Sequence, residues 1–169
     1  MATKGKKFEH VFSSNWAMTV PESFCYRLND QMSGYLGSSS NVGDFITYKK
    51  PILFLIDCKT HAGNTISLSN FSQYERMLEY KDIPGVVAGT VIWFYERDNC
   101  VVWVPITTWE KIVREGKKSF NVKLIDDPEY ECFLLPSKKK RVYSDTDYSF
   151  LVDYYINKYL SGAVNGQSK

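Results

Sequence analysis

The chain has 169 residues, of which 44% are hydrophobic and 15% aromatic, with a formal net charge of +2. That length suits one domain with a sizeable buried core. Near-neutral charge rules out a global electrostatic attraction to nucleic acid, so any basic surface must be local. With no long apolar run and no apolar N-terminal signal core, the sequence predicts a cytoplasmic protein with no membrane segment.

Four cysteines, Cys25, Cys58, Cys100 and Cys132, are far apart and form no C-x-x-C pair. They read as free, mostly buried thiols rather than a zinc site or a disulfide framework. Lys6 to about Ala17 carries Phe8, Val11, Phe12 and Trp16 on one stripe at helical spacing. Glu9 flanks that stripe, as a surface glutamate or as an acid turned towards a site. Pro21 ends the element. Phe24 to Leu28 predicts a short strand, followed by a Gly- and Ser-rich loop to Gly43. In that strand Arg27 either meets a phosphate or pairs with Asp30, and in the loop Ser38, Ser39 and Ser40 have the side chains that contact a DNA backbone.

Gly43 to Lys59 reads as a β-hairpin. Asp44 to Tyr48 forms one extended run, Lys49-Lys50-Pro51 carries turn chemistry, and Ile52 to Lys59 forms a second run rich in β-formers. An even loop centred between Lys50 and Pro51 sets Asp44 opposite Asp57, with Cβ atoms roughly 5 Å apart. Lys59 returns to the same face and Cys58 points the other way. Asp57 follows Ile-Leu-Phe-Leu-Ile, where an ionised carboxylate costs several kcal/mol, on the order of 3–5, unless a cation or hydrogen bonds compensate it. Either a buried Asp57–Lys59 pair, a strand-exit cap, or a divalent cation held by both acids satisfies that demand.

His61 would share the Lys59 face if the strand ran on, but Ala62-Gly63-Asn64 predicts that it stops. Ser67 or Ser69 caps a predicted helix over about Asn70 to Tyr80 with Gln73 at its edge. Gly85 to Tyr95 is a near-continuous apolar run and therefore a central strand; a turn leads to a second strand, Cys100 to Val104. Thr107-Thr108-Trp109-Glu110 predicts a capping box opening a helix to about Glu115. Tyr130 to Leu135 suggests another strand. Lys138, Lys139, Lys140 and Arg141 form the densest basic run, either solvated or facing phosphate. A last helix, capped by Asp145 or Thr146, carries Phe150, Leu151, Tyr154 and Tyr155, and residues 161–169 are expected to be a disordered tail after a domain of residues 1–160.

An acid, a hairpin turn and then acid-x-Lys in a strand resembles the core of the PD-(D/E)xK nuclease superfamily. Gln73-Tyr74-Glu75-Arg76-Met77 is similar to the helix bearing a catalytic glutamine in RecU-type Holliday-junction resolvases, and Gly5-Lys6-Lys7-Phe8-Glu9 to their first helix with its active-site glutamate. The long stalk of those enzymes is replaced here by the short Pro21–Gly43 segment, which bears on junction selectivity. The resemblance implies a restriction-endonuclease-like α/β fold, a mixed central sheet flanked by helices. It further implies Mg²⁺, with Mn²⁺ able to substitute, held by Asp44, Asp57 and the backbone carbonyl of Cys58, while Lys59, Glu9 and Gln73 complete the catalytic set. The expected activity is hydrolysis of DNA phosphodiesters, most specifically junction resolution by a homodimer. A nickase or trimming nuclease, and a non-catalytic DNA-binding protein on the same scaffold, are the alternatives.

Overall fold

The structure, a computed structural model, describes residues 3–29, 41–98 and 100–166, with side chains described as far as residue 162. Helix α1 (Lys4–Thr19) begins where the Thr3 hydroxyl accepts the Lys6 N–H, a standard way to satisfy a free first-turn donor. Of its predicted stripe, Phe8, Phe12 and Trp16 are buried as the periodicity predicts, while Val11 is only half-buried. The helix meets β1 (Phe24–Arg27), then the hairpin of β2 (Phe45–Lys49) and β3 (Ile52–His61). Phe45 pairs with Ile56 and Lys49 with Ile52, the register expected of an even loop.

Next come β4 (Thr65–Ser67), α2 (Tyr74–Leu78), β5 (Val86–Phe94), β6 (Val101–Pro105), α3 (Ile106–Arg114) and β7 (Ser119–Asn121). The chain continues through β8 (Phe133–Leu134), β9 (Ser137–Lys139), β10 (Ser144–Thr146) and α4 (Ser149–Gly166). The central six-stranded sheet has the order β1-β2-β3-β5-β6-β8. It is mixed: β3 and β5 run parallel, and the remaining neighbours are antiparallel. Alternation along β3 divides the core. Ile52, Phe54, Ile56 and Cys58 pack with Phe8, Phe12, Trp16, Leu151 and Tyr155 of α1 and α4. Leu55 packs instead with Met77, Trp109 and Ile112 of α2 and α3. Each large side chain so buried stabilises the fold by roughly 1.5–3 kcal/mol. The four described thiols are unpaired, three of them buried, and among the described residues no helix is long and apolar enough to cross a membrane.

Several boundaries differ from expectation. The predicted helix over Asn70–Tyr80 is divided: Leu68–Asn70 is a 3-10 turn, Phe71 leaves helical geometry, and α2 holds only Tyr74–Leu78. The predicted capping box does not form, because Pro105 occupies the cap position of α3. Thr108 donates instead to the Glu131 carbonyl, and Glu110 is taken by Lys81 at 2.5 Å. Neither Asp145 nor Thr146 caps α4: the Asp147 carboxylate accepts from Ser149 N at 2.9 Å, Asp145 pairs with Lys140, and Thr146 is buried in β10. Phe150 is exposed, resting edge-on against Phe133. Helix α4 continues past residue 161 to Gly166.

Candidate active site

The hairpin places Asp44 one residue before β2 and Asp57 in the last half of β3, on the sheet face shared with Leu55. Asp44 is fixed twice to β3: its N–H donates to the Ile56 carbonyl at 2.9 Å, and its Oδ2 accepts the Cys58 N–H at 2.7 Å. Asp57 is wholly buried. Lys59 Nζ donates to its Oδ1 at 2.9 Å and lies 2.8 Å from its Oδ2. The directed hydrogen bond goes to Oδ1; buried Oδ2, despite the nearby ammonium, accepts no hydrogen bond from the described residues. Asp44 and Lys59 remain partly open to solvent above it. Cys58 turns into the α1 side of the core, as its place in the alternation predicts.

Burial and the two neighbouring charges set the electrostatics of the cluster. Burial is the largest influence on Asp57 and pushes its carboxyl up to about 7; the Lys59 ammonium draws it down, and the Asp44 carboxylate pushes it up again. For Lys59, burial works against the charge, but Asp57 outweighs it and holds the ammonium above its ordinary value. Burial, with Asp44 and Asp57 beyond it, raises the Cys58 thiol well above the usual range. A second buried polar group adjoins the site. Thr90 is the β5 partner of Asp57, and its hydroxyl accepts the Trp109 indole N–H at 3.0 Å. The long apolar run around Thr90 hid that role in the sequence.

No protein-family model matches the chain, and no curated protein is similar to it in sequence. Among solved structures, Hjc from Archaeoglobus fulgidus, a Holliday junction resolvase from an archaeal hyperthermophile, matches with a TM-score of 0.53. The alignment covers 71% of this chain and 90% of Hjc at 15% identity. The chain has the fold of Hjc. At that identity the likeness to Hjc is one of architecture: a mixed central sheet with helices on both faces.

The remaining predicted site residues are spread around the hairpin. Glu9, on the α1 face, does not stand free: Arg27 donates to its Oε2 from Nε at 2.7 Å and from a terminal nitrogen at 2.5 Å. Arg27 therefore holds an acid from the first helix rather than projecting alone. Gln73 precedes α2 instead of riding on it, and its amide oxygen accepts from Ser72 at 2.8 Å. Met77 of that helix packs against Gly43, next to Asp44. His61 does end β3, contrary to expectation, and meets Phe94 edge-on.

The basic run is less free than its sequence suggests. Lys138 and Lys139 sit in the β9–β10 ribbon; Lys139 is paired with Asp98 and Lys140 with Asp145 at 3.0 Å, while Arg141 is exposed. Ser38, Ser39, Ser40 and Asp30 lie outside the described residues. Among the described residues, no group of three or more His, Cys, Asp or Glu side chains is arranged as a metal site. Two carboxylates remain, one carrying a buried oxygen without a hydrogen bond. Such a hard oxygen set fits Mg²⁺, which commonly takes only one or two protein carboxylates and leaves other positions to water and phosphate.

Proposed function

We propose that the chain is a metal-dependent DNA endonuclease of the PD-(D/E)xK superfamily, most specifically a Holliday-junction resolvase of RecU-type kinship acting in DNA recombination and repair. One observation carries the reading: Asp44, Asp57 and Lys59 meet on one face of a hairpin, in an Hjc-like fold, around a wholly buried Asp57 carboxylate that has the Lys59 ammonium against both its oxygens and a second acid beside it. The second carboxylate, Asp44, makes ionisation of buried Asp57 harder, a cost that a bound cation would offset.

Asp44 and Asp57, with the Cys58 carbonyl, would hold Mg²⁺ or Mn²⁺. Bound there, the cation supplies Lewis-acid polarisation of a phosphate oxygen and a more acidic water. The chain's own groups do the rest. Asp57 and Asp44 keep the oxygen cluster in place through the strand register and the Cys58 N–H. Lys59, partly exposed above Asp57, offsets charge that accumulates on the phosphate oxygens during hydrolysis. Arg27 orients Glu9 as a further acid at the border of the site. Gln73 orients a phosphate from the approach to α2, and Arg141, with the lysines of its run, contributes salt-dependent attraction to DNA.

One such site cuts one strand, so resolving a four-way junction requires two sites related by symmetry and hence a homodimer. In this reading residues 1–160 form one nuclease domain and the protein works in the cytoplasm. The test is incubation with a synthetic four-way junction, linear duplex and single strands, with and without Mg²⁺, alongside the mass of the protein in solution. Paired symmetric nicks from a dimer support the resolvase. Cutting of every substrate by a monomer points to a nickase or trimming nuclease, and binding without cleavage in Mg²⁺ or Mn²⁺ to a non-catalytic binder.

A further inference from the structure

Beyond Lys59, the end of the sheet carries a cavity of about 300 Å³ between the start of α1, the end of β5 and the β9–β10 ribbon. Its wall is aromatic. Trp93, backed by Phe8 at 5.7 Å, has Tyr143 at 5.4 Å and Tyr95 at 5.9 Å. Its other lining residues include Lys4, Arg97, Lys139 and Arg141, and no lining residue is acidic. Lys4 Nζ sits 3.4 Å from the centre of the Tyr95 ring. Arg97 donates to the neutral amide of Asn64 at 2.8 Å. Lys139 is paired with Asp98 at the rim, but among the described residues Lys4, Arg97 and Arg141 have no carboxylate partner.

Uncompensated cations around an aromatic wall ask for a ligand that is anionic at one end and flat and apolar at the other. A lone inorganic anion would leave the wall unused, and an apolar ligand would leave the cations uncompensated. A nucleotide meets both demands, since base–aromatic stacking contributes roughly 1–3 kcal/mol per base and needs an unpaired base face. Position agrees. Trp93 pairs with Thr60, whereas Asp57 pairs with Thr90, so the cavity begins about 10 Å further along the strands. It lies on the opposite, α1 side of the sheet.

We propose that this cavity seats one nucleotide of an unpaired DNA strand, its phosphate among Lys4, Arg97 and Arg141 and its base against Trp93 and Tyr143. The inference rests on the DNA reading above and adds to it a second, strand-holding site on the far side of the sheet end.

The test is fluorescence anisotropy of a labelled short oligo(dT) with the full chain in chelator, repeated over a salt series. Arg97→Ala/Arg141→Ala should weaken binding by about tenfold and reduce the salt slope by roughly 0.7, the share of the one phosphate seated there on a single strand. Tyr143→Leu should weaken binding several-fold with the slope unchanged. A charge-matched control, Arg114→Ala/Lys123→Ala, should bind as wild type, and the exposed rim substitutions should leave the melting midpoint in place. Tighter binding of 5′-phosphorylated oligo(dT) would identify a strand end as the occupant; equal binding would identify an internal nucleotide. Equal losses in the rim and control variants, or no loss in either, would overturn the proposal. A chain that binds through this rim but never cuts would defeat the nuclease reading alone; one that cuts while the rim variants bind normally would defeat the cavity alone.

Discussion

Asp44 immediately precedes β2 and Asp57 lies in the antiparallel β3, and the Phe45–Ile56 pairing next to them brings the two together. One carboxylate is tied to the Cys58 N–H and the other is sealed beneath it. That relationship makes ionisation of Asp57 costly and sets how the site should answer to pH.

In the folded chain the Asp57 carboxyl stands raised to about 7, against about 3.9 for an unfolded aspartate. The folded state therefore holds the proton more tightly between those values. Stability from this group is fully present below about pH 4 and is lost as pH rises through about 7, by on the order of 4 kcal/mol at most. Thermal denaturation in chelator should show the loss, Asp57→Asn should remove it, and Mg²⁺ should restore the wild type above pH 7. A metal-free wild type with the same pH profile as Asp57→Asn would contradict the assignment.

Gly43 should be intolerant of a side chain. A Cβ there would lie 2.8 Å from the Ile56 carbonyl oxygen and 2.9 Å from the Met77 methyl. Met77 can shift, but the carbonyl belongs to the strand and accepts the Asp44 N–H. Gly43→Ala should displace Asp44 and lower cleavage by about tenfold or more, since small misplacements at a reacting centre are expensive. The readout is single-turnover rate beside far-UV circular dichroism, with the fold largely retained.

Glu9 and Arg27 should behave as a unit. The acid is mostly covered and the guanidinium is 37% exposed, so a double-mutant cycle of Glu9→Gln and Arg27→Ala should give a coupling on the order of 1 kcal/mol in urea denaturation. Both single variants should also slow cleavage. Additive stability losses with unchanged cleavage would make the pair irrelevant to the site.

The hairpin was legible in advance because its information is local: an even loop fixes the register, and a period of two decides which of Asp57, Cys58 and Lys59 share a face. The buried stripe of α1 and the central place of β5 follow from similarly short-range patterns. Long-range partners were not legible. Arg27 finds Glu9 eighteen residues away, Asp98 takes Lys139, and Lys81 and Glu131 draw Glu110 and Thr108 out of a capping box. The helical spacing of its neighbours predicts Gln73 on a helix, whereas Phe71 breaks that helix just before it. The aromatic cavity joins α1, β5 and the β9–β10 ribbon, three segments that only the fold brings together.

The central claim is that the two aspartates hold the ion that makes phosphodiester hydrolysis possible. Its most direct test is the single-turnover cleavage rate of a labelled four-way junction in Mg²⁺, wild type against Asp57→Asn. The account predicts paired nicks from the wild type, abolished by chelator, and a loss of at least roughly 10²–10³-fold in the variant. Equal rates from the two proteins, or no cleavage by the wild type in either Mg²⁺ or Mn²⁺, would contradict it.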